Sequence, residues 1–213
     1  PEEATTYNVG FVTDFGDDRW IATLDYYDFD FKNPIITENH QQLMDAYAAG
    51  GAAKAAVQSQ IYGGDNLNND GSFGAASVGR ITANYINGPA TTVNGIDLYI
   101  KYEDDYANGV ISAGLEANYV AKYSVEAYKK GAVQVAAAYE CAGFFNINNP
   151  CRPMPEIKGK FFLNYQEDQH NFYGAINYIS AYDDRRSTAA GCAKTLTDGV
   201  CTEIAAHTTV DAT

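Results

Sequence analysis

The stretch at residues 109–124, GVISAGLEANYVAKYS, alternates between two kinds of side chain. From Ile111 to Tyr123 every odd position is apolar or aromatic, and at the even positions only Val120 interrupts a set of polar residues and one glycine. A period of two residues predicts a β-strand with one apolar face and one polar face. Strands in soluble domains usually run about five or six residues, so the length of this strand requires an explanation.

The same alternation recurs along the chain. Together with the long strand it predicts about seven antiparallel strands, and the class of the chain is therefore all-β. The other predicted strands cover residues 7–11, 20–26, 96–102, 157–165 and 172–178, and a last one begins near residue 206.

Short and long connections between these strands alternate strictly. Long structureless connections are uncommon in compact soluble domains. An outer-membrane barrel, in contrast, joins its strands by short periplasmic turns and long extracellular loops. We therefore predict a portion of an antiparallel up-and-down transmembrane β-barrel. The short polar turns cover residues 14–18, 104–108 and 167–170, and the long connections cover about 32–79, 125–155 and 183–205.

A membrane explains the length of the strand. About thirteen residues tilted by roughly 40° rise about 34 Å along the membrane normal, which exceeds the apolar band of an outer membrane. The odd positions should face lipid, with Tyr119 and Tyr123 near one interface and Trp20 or Tyr106 near the other. The polar residues of this strand and its neighbour should face the lumen, namely Asp97, Lys101, Glu103, Glu116, Asn118 and Lys122.

Composition excludes some classes of function and suggests a compartment. A net charge of −13 argues against a nucleic-acid-binding protein. No apolar run approaches the roughly 18 residues of a transmembrane helix.

The cysteines form two local pairs in the long connections. This arrangement predicts two disulfides in an oxidising compartment, whereas a zinc site needs closer ligand spacing. The pairs are Cys141 with Cys151 and Cys192 with Cys201.

The first long connection has two parts of different character. Residues 38–62 are rich in Ala and Gln without alternation, which predicts one or two short helices separated at Gly50-Gly51. Residues 63–74 are rich in Gly, Asn and Asp. Their acidic and amide residues have the order of a calcium loop, but the twelfth position is Ser77 and not Glu. A plain turn-rich loop is favoured over a calcium site.

No catalytic constellation is apparent. His40, His170 and His207 are far apart in the sequence, and the paired aspartates lie at strand ends, where turn residues are expected. We therefore expect no enzyme, no cofactor and no metal. Ligand contacts should instead come from aromatic and basic residues of the long loops, where the candidates are Tyr139, Phe144, Phe145, Arg152, Arg185 and Arg186.

Four segments match a known family in order and spacing. Residues 1–11, PEEATTYNVGF, look like an entry into a barrel strand, and residues 20–32 look like the strand that follows it. Residues 80–98 carry Ile86-Asn87-Gly88 and a Gly-Ile-Asp-Leu element, and residues 208–211 look like the start of a later strand. These segments resemble the C-terminal β-barrel of TonB-dependent receptors of Gram-negative outer membranes. By this resemblance residues 80–103 form one long strand, bulged at Gly88-Pro89 because proline cannot donate a ladder hydrogen bond.

The resemblance implies a fold and a function for the whole receptor. Members have about 22 strands, an N-terminal plug and a segment that contacts TonB, so these 213 residues are expected to be one partial barrel domain cut at both ends. The implied function is capture of a scarce extracellular solute and its import to the periplasm with energy supplied through TonB. The implied partners are outer-membrane lipid, the plug and TonB, with the long loops outside the cell.

Two other functions remain open at this point. A passive outer-membrane porin shares the barrel but has no plug. A soluble or surface-anchored all-β binding module, such as an adhesin, would pack the apolar strand faces against a second sheet. Nothing in the residues distinguishes among a siderophore, haem, cobalamin, a glycan and a peptide as the solute.

Overall fold

One antiparallel sheet of seven long strands dominates the computed structural model, which describes residues 1–64, 70–145, 151–185 and 201–213. Each strand pairs with the next strand in the chain, so the sheet is an up-and-down meander and the seven predicted strands are confirmed. The strands are β1 (Glu3–Phe15), β2 (Trp20–Lys32), β3 (Thr91–Tyr106), β4 (Gly109–Val125), β5 (Ile157–Glu167), β6 (His170–Ile179) and β7 (His207–Ala212).

Tight turns join alternate pairs of these strands, as the polar clusters predicted. The turn between β1 and β2 places Gly16, Asp17 and Asp18 at positive φ. The turns after β3 and β5 each use one such residue, Ala107 and Asp168. Positive φ favours glycine and, among other residues, aspartate and asparagine. The aspartates therefore explain two of the three turns, whereas nothing in the structure explains the alanine.

The register gives the sheet one apolar face. Leu115 of β4 lies opposite Ile100 of β3 and Phe161 of β5, so the apolar positions of neighbouring strands share a side. These side chains are far from buried: Leu115 is 37% exposed, and Leu24 and Phe161 are 47% exposed. The core of a soluble sandwich would bury such residues almost completely. This face is therefore a large uncovered apolar surface.

The long connections contain short elements of their own. The first connection, for which one or two short helices were predicted, contains two helices, α1 (His40–Ala49) and α2 (Gly51–Val57), which separate at Gly50. Neither helix of the described part is long and apolar enough to cross a membrane. The remaining elements are two 3-10 turns, Gln58–Gln60 and Ala75–Ser77, and the short strands Ile35–Thr37, Ile61–Gly63, Val78–Ile81, Tyr85–Asn87, Tyr128–Lys130, Val133–Ala136, Tyr139–Glu140, Phe144–Phe145, Tyr182–Arg185 and Cys201–Ile204.

The first two long connections share one small hydrophobic core. Leu43, Val57 and Ile61 of the first connection are fully buried, and Val135 of the second packs into the same cluster. We call the described residues 33–64, 70–90 and 126–140 the loop unit. Its core shows that the two connections form a folded body at one end of the sheet.

The single strand expected at residues 80–103 is wrong. Val78–Ile81 pairs with Ile61–Gly63, and Tyr85–Asn87 pairs with Ile35–Thr37, so the first part of this segment belongs to the loop unit. Only from Thr91 does the chain join the sheet. The backbone groups before Pro89 thus find their partners within the connection, and no bulge is needed there to accommodate the proline.

Candidate functional site

The face of the sheet opposite the apolar surface carries a row of hydrogen-bonded polar side chains. The register places Asp25, Asp97, Asn118 and Lys158 side by side on strands β2 to β5. Asn118 Nδ2 donates to Asp97 Oδ1 at 2.7 Å and to the Tyr27 hydroxyl at 3.2 Å. The four residues of the row line a depression of about 480 Å³, which gives this face a polar concave surface.

The rows of side chains on either side of this hydrogen-bonded row carry charges of both signs. Glu116 lies opposite Lys160, and Lys101 Nζ forms an ion pair of 2.6 Å with Glu103. Asn177 Nδ2 donates to Asp211 Oδ2 at 2.7 Å. The polar face is therefore a mixed-charge, internally hydrogen-bonded surface. It brings together five of the residues predicted to face the lumen: Asp97, Lys101, Glu103, Glu116 and Asn118.

A β-bulge in β4 separates Lys122 from these five residues. Val120 pairs with Gly95 and Lys122 pairs with Asn94, so Ala121 is an extra residue opposite a single step of β3. Because of the extra residue, each following residue of β4 lies on the face opposite to the one that strict alternation from Ile111 would give it. Lys122 consequently shares a face with Asn94, whose side chain donates to Asp28 Oδ2 at 3.3 Å. Lys122 therefore lies on the side of the sheet that carries the apolar surface, beyond the end of that surface nearest the loop unit.

The two faces exchange their polarity at the level of this bulge. Between the bulge and the loop unit, Asp28 and Asp30 lie on the side of the apolar surface. Phe29 and Phe31 lie there on the side of the polar face, with their rings 6.2 Å apart. Tyr123 pairs with Val93 on that same side. The interface position expected for Tyr123 is therefore wrong, since a bulge is invisible in a pattern of alternating residues.

Aromatic residues bound the apolar surface at both ends. At the end of the tight turns, Trp20 stacks on Phe15 at 5.8 Å and contacts Tyr102 at 4.7 Å, and Tyr106 meets Tyr165 at 6.2 Å. At the other end the exposed tyrosines include Tyr26, Tyr119 and Tyr178. The eight residue steps from Ile111 to Tyr119 rise about 21 Å at a tilt of roughly 40°. This height is close to the apolar band of an outer-membrane barrel, about 25 Å.

A buried polar cluster joins the two connections of the loop unit. Glu38 Oε1 accepts hydrogen bonds from the Tyr128 hydroxyl at 2.7 Å and from Lys130 Nζ at 2.8 Å. Glu38 Oε2 accepts from the Asn84 backbone N–H at 3.0 Å and from the Gln60 side chain. The alternation pattern gave no sign of this cluster, because its members are distant in sequence.

The surroundings of Glu38 set the protonation of the cluster. Burial by itself raises the pKa of Glu38, but hydrogen bonds from Lys130, the Asn84 backbone, Tyr128 and Gln60 outweigh it and hold the pKa below the usual value. Burial and the Glu38 carboxylate raise the pKa of Tyr128. Glu38 is therefore a carboxylate whose two oxygens are both occupied by donors, and Tyr128 stays a protonated donor.

The described candidates for ligand contacts belong to different elements of the second and third long connections. Tyr139 pairs with Val125 at the end of β4 and lines a cavity of about 190 Å³ in the loop unit. Phe144 and Phe145 are half-buried and pair with Asp183 and Asp184. Arg152 is exposed. The Arg185 side chain and Arg186 lie outside the described residues, so a common ligand site formed by the six candidates stays a prediction.

The second long connection is closed by a disulfide. Cys141 and Cys151 are bonded, with Cα atoms 5.2 Å apart, and both residues are 2% exposed. Glu140 Oε1 accepts from the backbone N–H groups of Tyr123 at 2.6 Å and Ala142 at 3.1 Å. These bonds tie the disulfide-closed segment to the end of β4. The second predicted pair is not described, because Cys192 and the Cys201 side chain lie outside the described residues.

The order of residues that resembles a calcium loop is described only in part. Asn66 and Asn68 lie outside the described residues. Asp70 Oδ1 accepts a hydrogen bond from the Ser72 backbone N–H at 2.8 Å, the arrangement of an Asx turn. The described part of this segment thus contains a turn, and the preference for a plain loop over a calcium site stays a prediction.

Comparison with known proteins identifies one family. A family model described as "TonB dependent receptor-like, beta-barrel" matches residues 1–213. No curated protein sequence and no solved structure matches the chain. The match spans every strand of the sheet and both parts of the loop unit.

Proposed function

The chain belongs to the TonB-dependent receptor β-barrel family, and from this premise we propose that it forms part of a receptor that imports a scarce solute with TonB-supplied energy. The family consists of outer-membrane transport receptors and not of enzymes. The proposal adds the source of energy, the capture of a solute outside the cell, and a plug and TonB as partners.

The observation that carries the proposal is the difference between the two faces of the sheet. One face is apolar, uncovered and bounded by aromatic rows about 21 Å apart, as expected for a surface in contact with outer-membrane lipid. The other face is polar and concave, with Asp97 and Asn118 hydrogen-bonded at its centre. We propose that this polar face lines the lumen and that Asp97, Lys101, Glu103, Glu116 and Asn118 contact the plug or the path of the solute.

The structure of the loop unit favours a receptor, and not a passive porin, as the function of the protein. Its two connections share a core and a buried ion pair between Glu38 and Lys130, so they form a folded body at the end of the sheet opposite the tight turns. We propose that this end lies outside the cell and that the residues form one partial barrel domain with three extracellular loops. Ligand contacts would then come from the loops, with Tyr139, Phe144, Phe145, Arg152, Arg185 and Arg186 as candidates.

Uptake by the full-length protein tests the proposal. The gene is expressed in a host lacking its own receptors, and uptake of ferric siderophores, haem, cobalamin, oligosaccharides and peptides is measured with and without TonB. The proposal predicts that uptake of one of these classes depends on both the receptor and TonB. Uptake that is equal in both strains, together with a steady ion current in planar bilayers, would identify a passive porin instead.

A further inference from the structure

The loop unit contains a cavity between the two long connections. It measures about 190 Å³ and lies between the start of α1, the paired strands Ile35–Thr37 and Tyr85–Asn87, and the second connection. Both long connections contribute to its wall. Its lining residues are Ile36, Thr37, Glu38, Asn39, Gln42, Ile86, Pro89, Tyr128 and Tyr139.

The volume limits the size of a ligand. A dry apolar cavity of about 150 Å³ holds benzene, whereas sites for drug-sized ligands measure about 300–1,000 Å³. A cavity of 190 Å³ therefore accommodates a single six-membered ring with one or two small substituents. A larger solute would place one ring in the cavity and leave the rest outside.

The charges of the lining limit the charge of a ligand. Glu38 is the one ionisable carboxylate among the lining residues, and Lys130 neutralises it while other donors occupy both of its oxygens. The N-terminus of α1 is also occupied, since Asn39 Oδ1 accepts from the Gln41 and Gln42 backbone N–H groups. An ionised ligand would lose its hydration without meeting a free counter-charge, which is costly. An uncharged ring meets no such penalty.

The polar groups of the lining indicate the chemistry of the ring. The Tyr139 hydroxyl has no hydrogen-bond partner among the described residues, and burial followed by the nearby Tyr123 raises the pKa of Tyr139, so this hydroxyl remains a donor. Tyr128 and Tyr139 offer aromatic rings, and Ile36, Ile86 and Pro89 offer aliphatic contacts. A ring with apolar faces and a hydroxyl at its edge can use both kinds of contact.

From the size, charge and lining of the cavity we propose that it binds one uncharged, hydroxyl-bearing six-membered ring. The Tyr139 hydroxyl forms the hydrogen bond that orients the ring. This proposal deepens the proposed function, on which it rests in taking the ring to be part of the imported solute. The binding site itself is a property of the loop unit and can be measured without transport.

Ligand-observed NMR on the full-length receptor in detergent tests the proposal with matched probes. The neutral probes are phenol and cyclohexanol, and the charged ones are benzoate and benzylammonium. The proposal predicts saturation transfer to the neutral pair only. Tyr139→Phe should weaken neutral binding about three- to tenfold, the effect of one lost hydrogen bond. Ile86→Phe should abolish it by filling the cavity. Tyr85→Phe is the control, since Tyr85 is 82% exposed and absent from the lining.

Three results separate the possible outcomes. Equal binding of charged and neutral probes, or neutral binding that survives both Tyr139→Phe and Ile86→Phe, would overturn the proposal. TonB-dependent uptake that neither variant alters would retain the transport function but would contradict a role of the cavity in holding the solute. Selective neutral binding lost in Ile86→Phe, in a protein that transports nothing, would retain the cavity site and overturn the proposed function.

Discussion

Lys130 of the second long connection forms an ion pair of 2.8 Å with Glu38 of the first, and the Glu38 side chain is only 1% exposed. Because the carboxylate is buried, its charge is stabilised only by the donors around it. This pair links two segments that β3 and β4 separate in the chain. It makes the loop unit dependent on contacts that neither connection can form alone.

Removing the cation should therefore loosen the loop unit. Lys130→Met leaves Glu38 without its counter-charge, and loss of one partner of a buried pair costs about 3–5 kcal/mol. Since Lys130 is 24% exposed, we expect a value near the lower end, about 3 kcal/mol. Hydrogen exchange of the full-length protein should speed up in residues 38–60 and 128–135 while the barrel strands stay protected. Lys129→Met, at an exposed neighbour, is the control, and an equal effect of both changes would contradict the role of the pair.

The same pair makes the loop unit sensitive to acid. Hydrogen bonds lower the pKa of Glu38 in the folded protein, and the unfolded value is about 4.3. A group with a lowered folded pKa contributes stability that is complete above its unfolded pKa and is lost as the pH falls through its folded pKa. Protection factors in residues 38–60, which divide out the intrinsic pH dependence of amide exchange, should thus be unchanged from pH 7 to pH 5 and should fall below about pH 4. Glu38→Gln should be less stable at pH 7 and should flatten this dependence; a wild-type profile that remains flat to pH 3 would disprove the linkage.

The bulge in β4 predicts that one deletion is tolerated. Deleting Ala121 removes the extra residue and leaves Val120 opposite Gly95 and Lys122 opposite Asn94, so every side chain keeps its face. Deleting Ala117, in the regularly paired part, moves the following residues to the other face. The first variant should assemble in the outer membrane with the heat-modifiable gel mobility of a folded barrel, and the second should not. If both variants assembled equally, β4 would not have the register described.

The disulfide should hold the end of the second connection in place. Closing a segment with a sequence separation of 10 between its cysteines is worth about 2–3 kcal/mol in the chain-entropy account. The double variant Cys141→Ser, Cys151→Ser should therefore be cleaved faster by protease at residues 139–156. Reductant should have the same effect on the wild type and none on the variant. Protection that is unchanged in both cases would show that the Glu140 hydrogen bonds suffice.

The sheet was predictable from the sequence because its signal is local. Leu115 and its odd-numbered neighbours alternate with polar residues whatever lies elsewhere in the chain. The helices were predictable for the same reason, since Gly50-Gly51 interrupts an Ala-rich segment. The position of Tyr123 was not predictable, because the bulge at Ala121 depends on pairing with Asn94 and Gly95 in another strand.

The site was predictable only where it follows strand alternation. Asp97, Glu116 and Asn118 were found because they occupy the polar phase of their strands. Glu38 was missed because its donors come from residues 60, 84, 128 and 130, and no spacing connects them. The single strand expected at residues 80–103 failed for a related reason, since its first half pairs with the first connection and not with the sheet.

We propose that the odd-numbered residues of β4 from Ile111 to Tyr119 face lipid and that the even-numbered ones between them face the lumen. Spin labels placed one at a time at residues 111–119 of the full-length receptor in liposomes measure it directly. We expect a period of two residues: labels at Leu115 and Ala117 should be relaxed by oxygen, which partitions into lipid, and labels at Glu116 and Asn118 should not. Accessibility without alternation, or with lipid contact at Glu116 and Asn118, would contradict the account.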